Sequence, residues 1–264
     1  MLLHGLRSTL GADCVDANRF DSMYVDSPRI GFWSVYGNLP NVDIDRTDIP
    51  AKIAARYFDA VVYGSVHRCR QYLAEVQAAY PPSRIAYIDG EDDYGICAAG
   101  QGLYFKREIS DDMTADVLPI QFAIPQSKIR DFAAITSKTR LMSPLDPRDR
   151  TTYQYYESES GYYDQYSTSY FGLTMKKGGW DCSRHYEIMA SGCLPYFHDI
   201  ESCPRRTMNW LPRDTMLAAR RLHDDWRESR HGEWCDLAFQ LRRELFVHMT
   251  TEAMAAYLLG ELAK

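Results

Sequence analysis

The stretch from Lys176 to His198, KKGGWDCSRHYEIMASGCLPYFH, constrains this chain more than any other. Ahead of it, Tyr170 to Met175 mixes aromatic, β-branched and apolar residues and predicts a short strand, closed by the basic pair Lys176 and Lys177. Gly178 and Gly179 permit a tight turn, and Asp181 is the expected N-cap of a helix over Cys182 to Ser191. Gly192 is the expected stop, with Pro195 shortly after, and Cys193 to Phe197 the next strand. A strand, a glycine turn and a helix start leave backbone N–H groups pointing out of the helix N-terminus, where an anion can sit.

Two side chains of that helix carry chemistry. Arg184 falls in the first turn, where the helix dipole disfavours a cation by roughly 0.3–1 kcal/mol, so a compensating anion is expected. A bound diphosphate and an ion pair with Asp181, three residues back, both satisfy that need. Glu187 lies on the same face one turn deeper, where a carboxylate can accept hydrogen bonds from a ribose diol or remain a solvated helix residue.

The pattern Arg184-x-x-Glu187-x-x-Ala190-x-Gly192-x-x-Pro195 resembles the nucleotide-sugar signature in the C-terminal half of GT-B glycosyltransferases, of the glycosyltransferase group 1 kind. The wording Arg-His-Tyr-Glu-Ile…Gly-Cys-Leu-Pro-Tyr-Phe is most similar to exostosin-like members. The likeness is specific from Leu173 to Thr207 and weaker at His4-Gly5-Leu6-Arg7, Asp89-Gly90-Glu91-Asp92 and Phe105-Lys106-Arg107. It implies an α/β fold of two Rossmann-like domains with a reduced or truncated N-terminal one. Residues 1–120 would form the acceptor-side domain and 121–264 the nucleotide-sugar domain, joined within 109–128. It also implies a hexosyltransferase-like enzyme that uses a nucleotide-diphospho-sugar as co-substrate and no other cofactor.

By that resemblance Lys176, Lys177, Gly178, Gly179, Trp180, Asp181, Arg184, Glu187 and Gly192 form the donor site, with Arg184 and Glu187 also acting in catalysis. Where retaining members carry a second glutamate eight residues earlier, this chain has Gly179, so a two-glutamate mechanism is not expected and the stereochemical outcome stays open.

From Pro50 the chain alternates: helix Pro50 to Tyr57, strand Asp59 to Tyr63, helix Val66 to Ala79, strand Arg84 to Ile88 and strand Gly102 to Glu108. Such alternation predicts parallel strands with crossover helices. Ligands of open α/β sheets bind beyond the carboxyl ends of strands, which places the acidic run Asp89 to Asp93 at a site. Asp89 or Glu91 is then the candidate general base for an acceptor hydroxyl; a divalent-metal site and a solvated turn are the alternatives. The donor site already offers cations, so no metal is expected.

Elsewhere the expectations are plainer. Leu2 to Leu10 reads as a helix, Cys14 to Ala17 as a short strand, and 18–49 as a long loop around Phe32, Trp33, Val35 and Tyr36. Ile129 to Ile135 reads as a strand, and Lys138, Arg140, Arg148 and Arg150 are further candidates for the diphosphate. Seven tyrosines between 151 and 170 either pack, with Tyr153, Tyr156 and Tyr163 on one helical face, or form a rim for a sugar acceptor. Asp214 is the expected cap of a helix to Arg227, and His231 to Ala263 reads as one long amphipathic helix or a pair, long enough to return to the first domain.

A formal charge of −6 with pI near 5.7 argues against a general affinity for nucleic acid. Seven cysteines without a C-x-x-C pair indicate neither a zinc knuckle nor a closed disulfide framework. With no apolar run of membrane-spanning length and no secretion signal at the start, a soluble cytoplasmic protein is expected. The sequence alone also allows a nucleotide- or sugar-binding module without catalysis, and a metal-dependent transferase using Asp89 to Asp93.

Overall fold

The computed structural model describes residues 1–26, 35–97, 100–131, 138–153 and 158–264. Two parallel sheets, each built from one stretch of chain, organise it. The first has the order β1 (Val61–Tyr63), β2 (Ile85–Asp89), β3 (Leu103–Lys106), β4 (Leu118–Pro119). Its register pairs Tyr87 with Tyr104 and Phe105 with Leu118. All five residues of β2 are buried, as expected of a central parallel strand covered on both faces. The second sheet has the order β5 (Arg140–Met142), β6 (Ser169–Thr174), β7 (Leu194–Phe197), with Phe171 beside Leu194.

The helices are α1 (Leu2–Leu10), α2 (Ile49–Ala54), α3 (Leu73–Ala79), α4 (Glu159–Ser167), α5 (Ser183–Ala190), α6 (Arg213–Asp224), α7 (His231–His248) and α8 (Thr251–Leu262). Phe171, Tyr186, Phe197, Trp234, Leu241 and Leu245 build the core of the second sheet. The last helix leaves that core: Met254, Ala255, Leu258 and Leu262 pack with Leu6, Ile88 and Phe105 under the first sheet. It approaches α1 so closely that a Cβ on Gly5 would fall 1.8 Å from the Thr251 carbonyl oxygen. The chain therefore crosses between the sheets twice, and the crossings pair: Ile124 N–H donates to Met249 O at 3.1 Å and Thr251 N–H to Ile124 O at 2.9 Å.

Several local expectations change. Residues 14–17 form no strand, because Asp16 is drawn inward as a shared acceptor for Arg7 at 2.7 Å, Arg46 at 2.6 Å and the Tyr24 hydroxyl at 2.6 Å. The helix expected from Val66 begins only at Leu73, because Tyr72 takes a left-handed conformation (φ 60°) that interrupts a right-handed helix; residues 65–69 form a separate turn, with Cys69 N–H on Ser65 O at 3.0 Å. Pro212, not Asp214, occupies the N-cap of α6. His231 to Ala263 is a pair of helices, broken where Met249 and Thr250 join the crossing. Phe32, Trp33, Tyr155, Tyr156 and most of the expected strand Ile129–Ile135 lie outside the described residues. No helix is long and apolar enough to cross a membrane among the described residues.

Candidate functional site

The strand–elbow–helix–strand unit forms as its sequence predicts: β6 ends at Thr174, the elbow closes with Lys177 N–H on Gly179 O at 3.0 Å, α5 follows, and Gly192 turns the chain at φ 67° into β7. His185 staples it. Its Nδ1 lies 2.8 Å from the Thr174 hydroxyl and its Nε2 lies 2.8 Å from the Trp180 carbonyl, with the ring stacked on Phe197. A carbonyl only accepts, so Nε2 carries the proton and Nδ1 accepts from Thr174.

Burial lowers the His185 pKa to about 4, against 6.5 in an unfolded chain. The unfolded state therefore binds more protons between those values. Stability from this residue is complete above pH 6.5 and is lost as pH falls towards 4, by about 3 kcal/mol at most. Urea unfolding at pH 7 and pH 4.5 is expected to show that loss, and a His185→Gln variant to lack that part of the pH slope.

Asp181 is not the helix cap. Cys182 holds the N-cap with extended backbone and no side-chain cap bond. The buried Asp181 carboxylate instead accepts Phe122 N–H at 2.6 Å and the Tyr186 hydroxyl at 2.8 Å, and burial raises its pKa. The elbow is thereby tied to the linking segment between the sheets.

Arg107, directly after β3, completes that tie. Its guanidinium donates to Gly90 O at 3.1 and 2.9 Å, to Glu108 Oε1 at 3.2 Å, to Asp92 and to the Asp181 carbonyl, and it lies 4.6 Å over the Phe122 ring. Glu108 Oε1 also accepts Asp181 N–H at 3.0 Å, so this elbow N–H is already engaged by a carboxylate. The acidic loop and the elbow face each other at contact distance. A Cβ on Gly178 would stand 2.3 Å from Asp92 Oδ2, and one on Gly179 would stand 2.4 Å from Glu108 Oε1.

These contacts predict unequal effects. The Asp92 side chain is exposed and can swing away from Gly178→Ala, whereas Glu108 is buried and held from two sides. Gly179→Ala is expected to cost about 1–3 kcal/mol, the usual range for forced overpacking, and Gly178→Ala clearly less, as read from urea midpoints.

Arg184 and Glu187 lie on the face of α5 that meets the tyrosine segment. Among the described residues Arg184 has no ion pair, and its Nη1 is buried without a hydrogen-bond partner. The guanidinium stands 6.0 Å from the Tyr153 ring centroid. The Asp181 ion pair, one of the two alternatives for this arginine, does not form, because Asp181 is committed to Phe122 and Tyr186. Glu187 is buried, accepts the Tyr162 hydroxyl at 2.7 Å through Oε2, and has its pKa raised by burial.

Trp180 is buried against Tyr94, to whose hydroxyl its Nε1 donates at 3.2 Å, and Lys176 Nζ lies 5.1 Å over its ring. Lys177 Nζ donates to Pro147 O. Gly192 is at the far end of α5, about 12 Å from its first turn at the usual helical rise, and is not brought to the elbow. Lys138 donates to the carbonyls of Ser167 at 2.8 Å and Gly192 at 2.7 Å, and Arg148 pairs with Asp146 at 2.6 Å, so neither is assembled with Arg184.

At the end of β2, Asp89 is wholly buried, with Oδ2 accepting Tyr104 at 2.7 Å and Lys106 at 3.0 Å and Oδ1 accepting Glu91 N–H at 3.2 Å. The Glu91 carboxylate pairs with Arg68 at 3.2 Å. Among the described residues no three His, Cys, Asp or Glu side chains are grouped to hold a metal ion. Sequence reading missed Arg107, Glu108 and Tyr162 as members of this assembly. The signals for them were slight: Arg107 and Glu108 stand at the end of a predicted strand, and Tyr162 is one of many tyrosines in its tract.

No protein-family model matches this chain, and no curated protein matches it. Among solved structures it is similar to an alpha-glucosyltransferase in complex with UDP and a 13-mer DNA containing a central A:G mismatch. The TM-score is 0.46 and the identity 10%, over 86% of this chain and 85% of that one; a likeness so distant carries no argument about ligand or reaction, which rest on the site itself.

Proposed function

We propose that the protein is a GT-B glycosyltransferase that moves a sugar from a nucleotide-diphospho-sugar to an acceptor hydroxyl without a metal. Residues 1–120 form the acceptor side and 121–264 the donor side. The observation that carries the reading is the buried, unpartnered Nη1 of Arg184 at the first turn of α5. A buried guanidinium N–H left unsatisfied is costly, and an anionic ligand removes that cost while the arginine neutralises charge growing on a departing diphosphate.

Lys176 and Lys177 add positive charge at the elbow, and Trp180 walls the pocket. Because Glu108 engages Asp181 N–H, the diphosphate is held mainly by these side chains rather than by that amide. Glu187, braced by Tyr162, orients a ribose or sugar hydroxyl through its other oxygen.

Calorimetric titration with UDP and GDP, followed by assays of sugar-nucleotide hydrolysis, tests the proposal. Binding and slow metal-free hydrolysis are the expected result. Binding without turnover favours a non-catalytic nucleotide-binding module, and manganese-dependent activity abolished by a chelator favours the metal-dependent reading. Failure to bind either nucleotide refutes the donor site.

A further inference from the structure

The acidic loop meets the glycine elbow through one carboxylate that the donor-site roles leave unused. Asp92 accepts from Arg107 Nη2 through Oδ1. Both of its oxygens lie on the elbow: Oδ2 sits against the position a Cβ on Gly178 would take, and Oδ1 stands 2.9 Å from the position of one on Gly179. A side chain at either glycine would displace the carboxylate. The loop touches the elbow a second time at Tyr94, whose hydroxyl accepts Trp180 Nε1 at 3.2 Å.

The partners in this contact differ in freedom. The side chains of Arg107 and Glu108 are 3% and 1% exposed, and Glu108 is held between Arg107 Nη1 at 3.2 Å and Asp181 N–H at 3.0 Å. The Asp92 side chain is 58% exposed. The cation is therefore fixed in the wall, and of the two carboxylates beside it only Asp92 can leave. An arginine fork facing a glycine turn at a helix start suits an oxyanion of either kind, carboxylate or phosphate. Two such anions cannot share the place, because like charges at contact distance disfavour each other's ionised forms.

We propose that Arg107 and the Gly178–Gly179 elbow form an anion seat that Asp92 occupies in the free protein and the donor's diphosphate occupies in the complex, so that Asp92 is a built-in competitor for the donor; this rests on the glycosyltransferase reading above. Binding breaks the Arg107–Asp92 ion pair and forms an Arg107–phosphate pair in its place. The buried guanidinium keeps a charge-assisted bond throughout, and the loop carrying Asp92 and Tyr94 moves off the elbow. After transfer, the return of Asp92 opposes rebinding of the nucleoside diphosphate and so speeds its release.

Calorimetric titration of the whole protein with inorganic pyrophosphate, UDP and uridine tests this, on wild type and the variants Asp92→Ala, Asp92→Asn and Asp93→Asn. Asp92→Ala empties the seat, and Asp92→Asn keeps the shape and an oxygen for Arg107 while removing the charge. Asp93→Asn removes the same charge one residue on, where the carboxylate accepts Gly95 N–H at 2.7 Å. If the seat is open in about one molecule in ten, freeing it tightens binding about tenfold. That gain is expected for pyrophosphate and UDP in Asp92→Ala, with a gain of the same sign in Asp92→Asn and none in Asp93→Asn or for uridine. Unchanged or weaker binding of pyrophosphate and UDP in both Asp92 variants, an equal gain in Asp93→Asn, or an equal gain for uridine overturns the proposal while leaving the donor site standing. If no form of the protein binds pyrophosphate or UDP, the donor site falls and this proposal with it.

Discussion

Arg107→Ala is expected to lower the melting temperature by on the order of 10 °C at neutral pH. The arginine is 3% exposed and spreads its donors over the Gly90 carbonyl, Glu108, Asp92 and the Asp181 carbonyl. Truncation leaves Glu108, itself buried, with the Asp181 N–H as its remaining partner at 3.0 Å and no cation beside it. Breaking a buried pair by removing one member typically costs about 3–5 kcal/mol. For a chain of this size each kcal/mol shifts the midpoint by about 2–4 °C. Arg107→Lys returns the charge but not the planar fork, so an intermediate loss is expected. Thermal unfolding followed by circular dichroism decides the matter: a midpoint within about 2 °C of wild type for Arg107→Ala would mean that the network contributes little to holding the acidic loop on the elbow.

That network also shows why the sequence reveals one half of the site and not the other. The unit from β6 to β7 is local: its turn glycines, helix stop and apolar spacing all lie within a few residues of the structure they specify, and its bounds emerge within about one residue. The shared face of Arg184 and Glu187 follows from three-residue spacing in the same way. Asp181 looks like a cap because capping is the local use of an aspartate before a helix. Its actual partner, Phe122 N–H, is 59 positions away and leaves no local trace. Arg107 reaches 74 positions to the Asp181 carbonyl, and Tyr162 reaches 25 to Glu187.

Turnover of a sugar nucleotide is expected to fall tenfold or more in Arg184→Ala and in Glu187→Gln, with melting points close to wild type. Arg184 makes no hydrogen bond through its buried Nη1, so its removal breaks no pair there and even relieves an unsatisfied donor. Glu187→Gln preserves shape and an oxygen for the Tyr162 hydroxyl, so it tests charge rather than packing. The pH dependence carries a sign. Burial raises the Glu187 pKa, while the Tyr162 hydrogen bond lowers it in part. If the ionised carboxylate orients the donor, kcat/KM falls on acidification through a value above the ordinary carboxylate range, and Tyr162→Phe moves that limb to higher pH. Activity that survives in Arg184→Ala and Glu187→Gln alike, with no acid limb displaced by Tyr162→Phe, removes both residues from the donor site. Donor binding would then have to be sought at the elbow lysines, where Lys176 stands over the Trp180 ring and Lys177 reaches the Pro147 carbonyl.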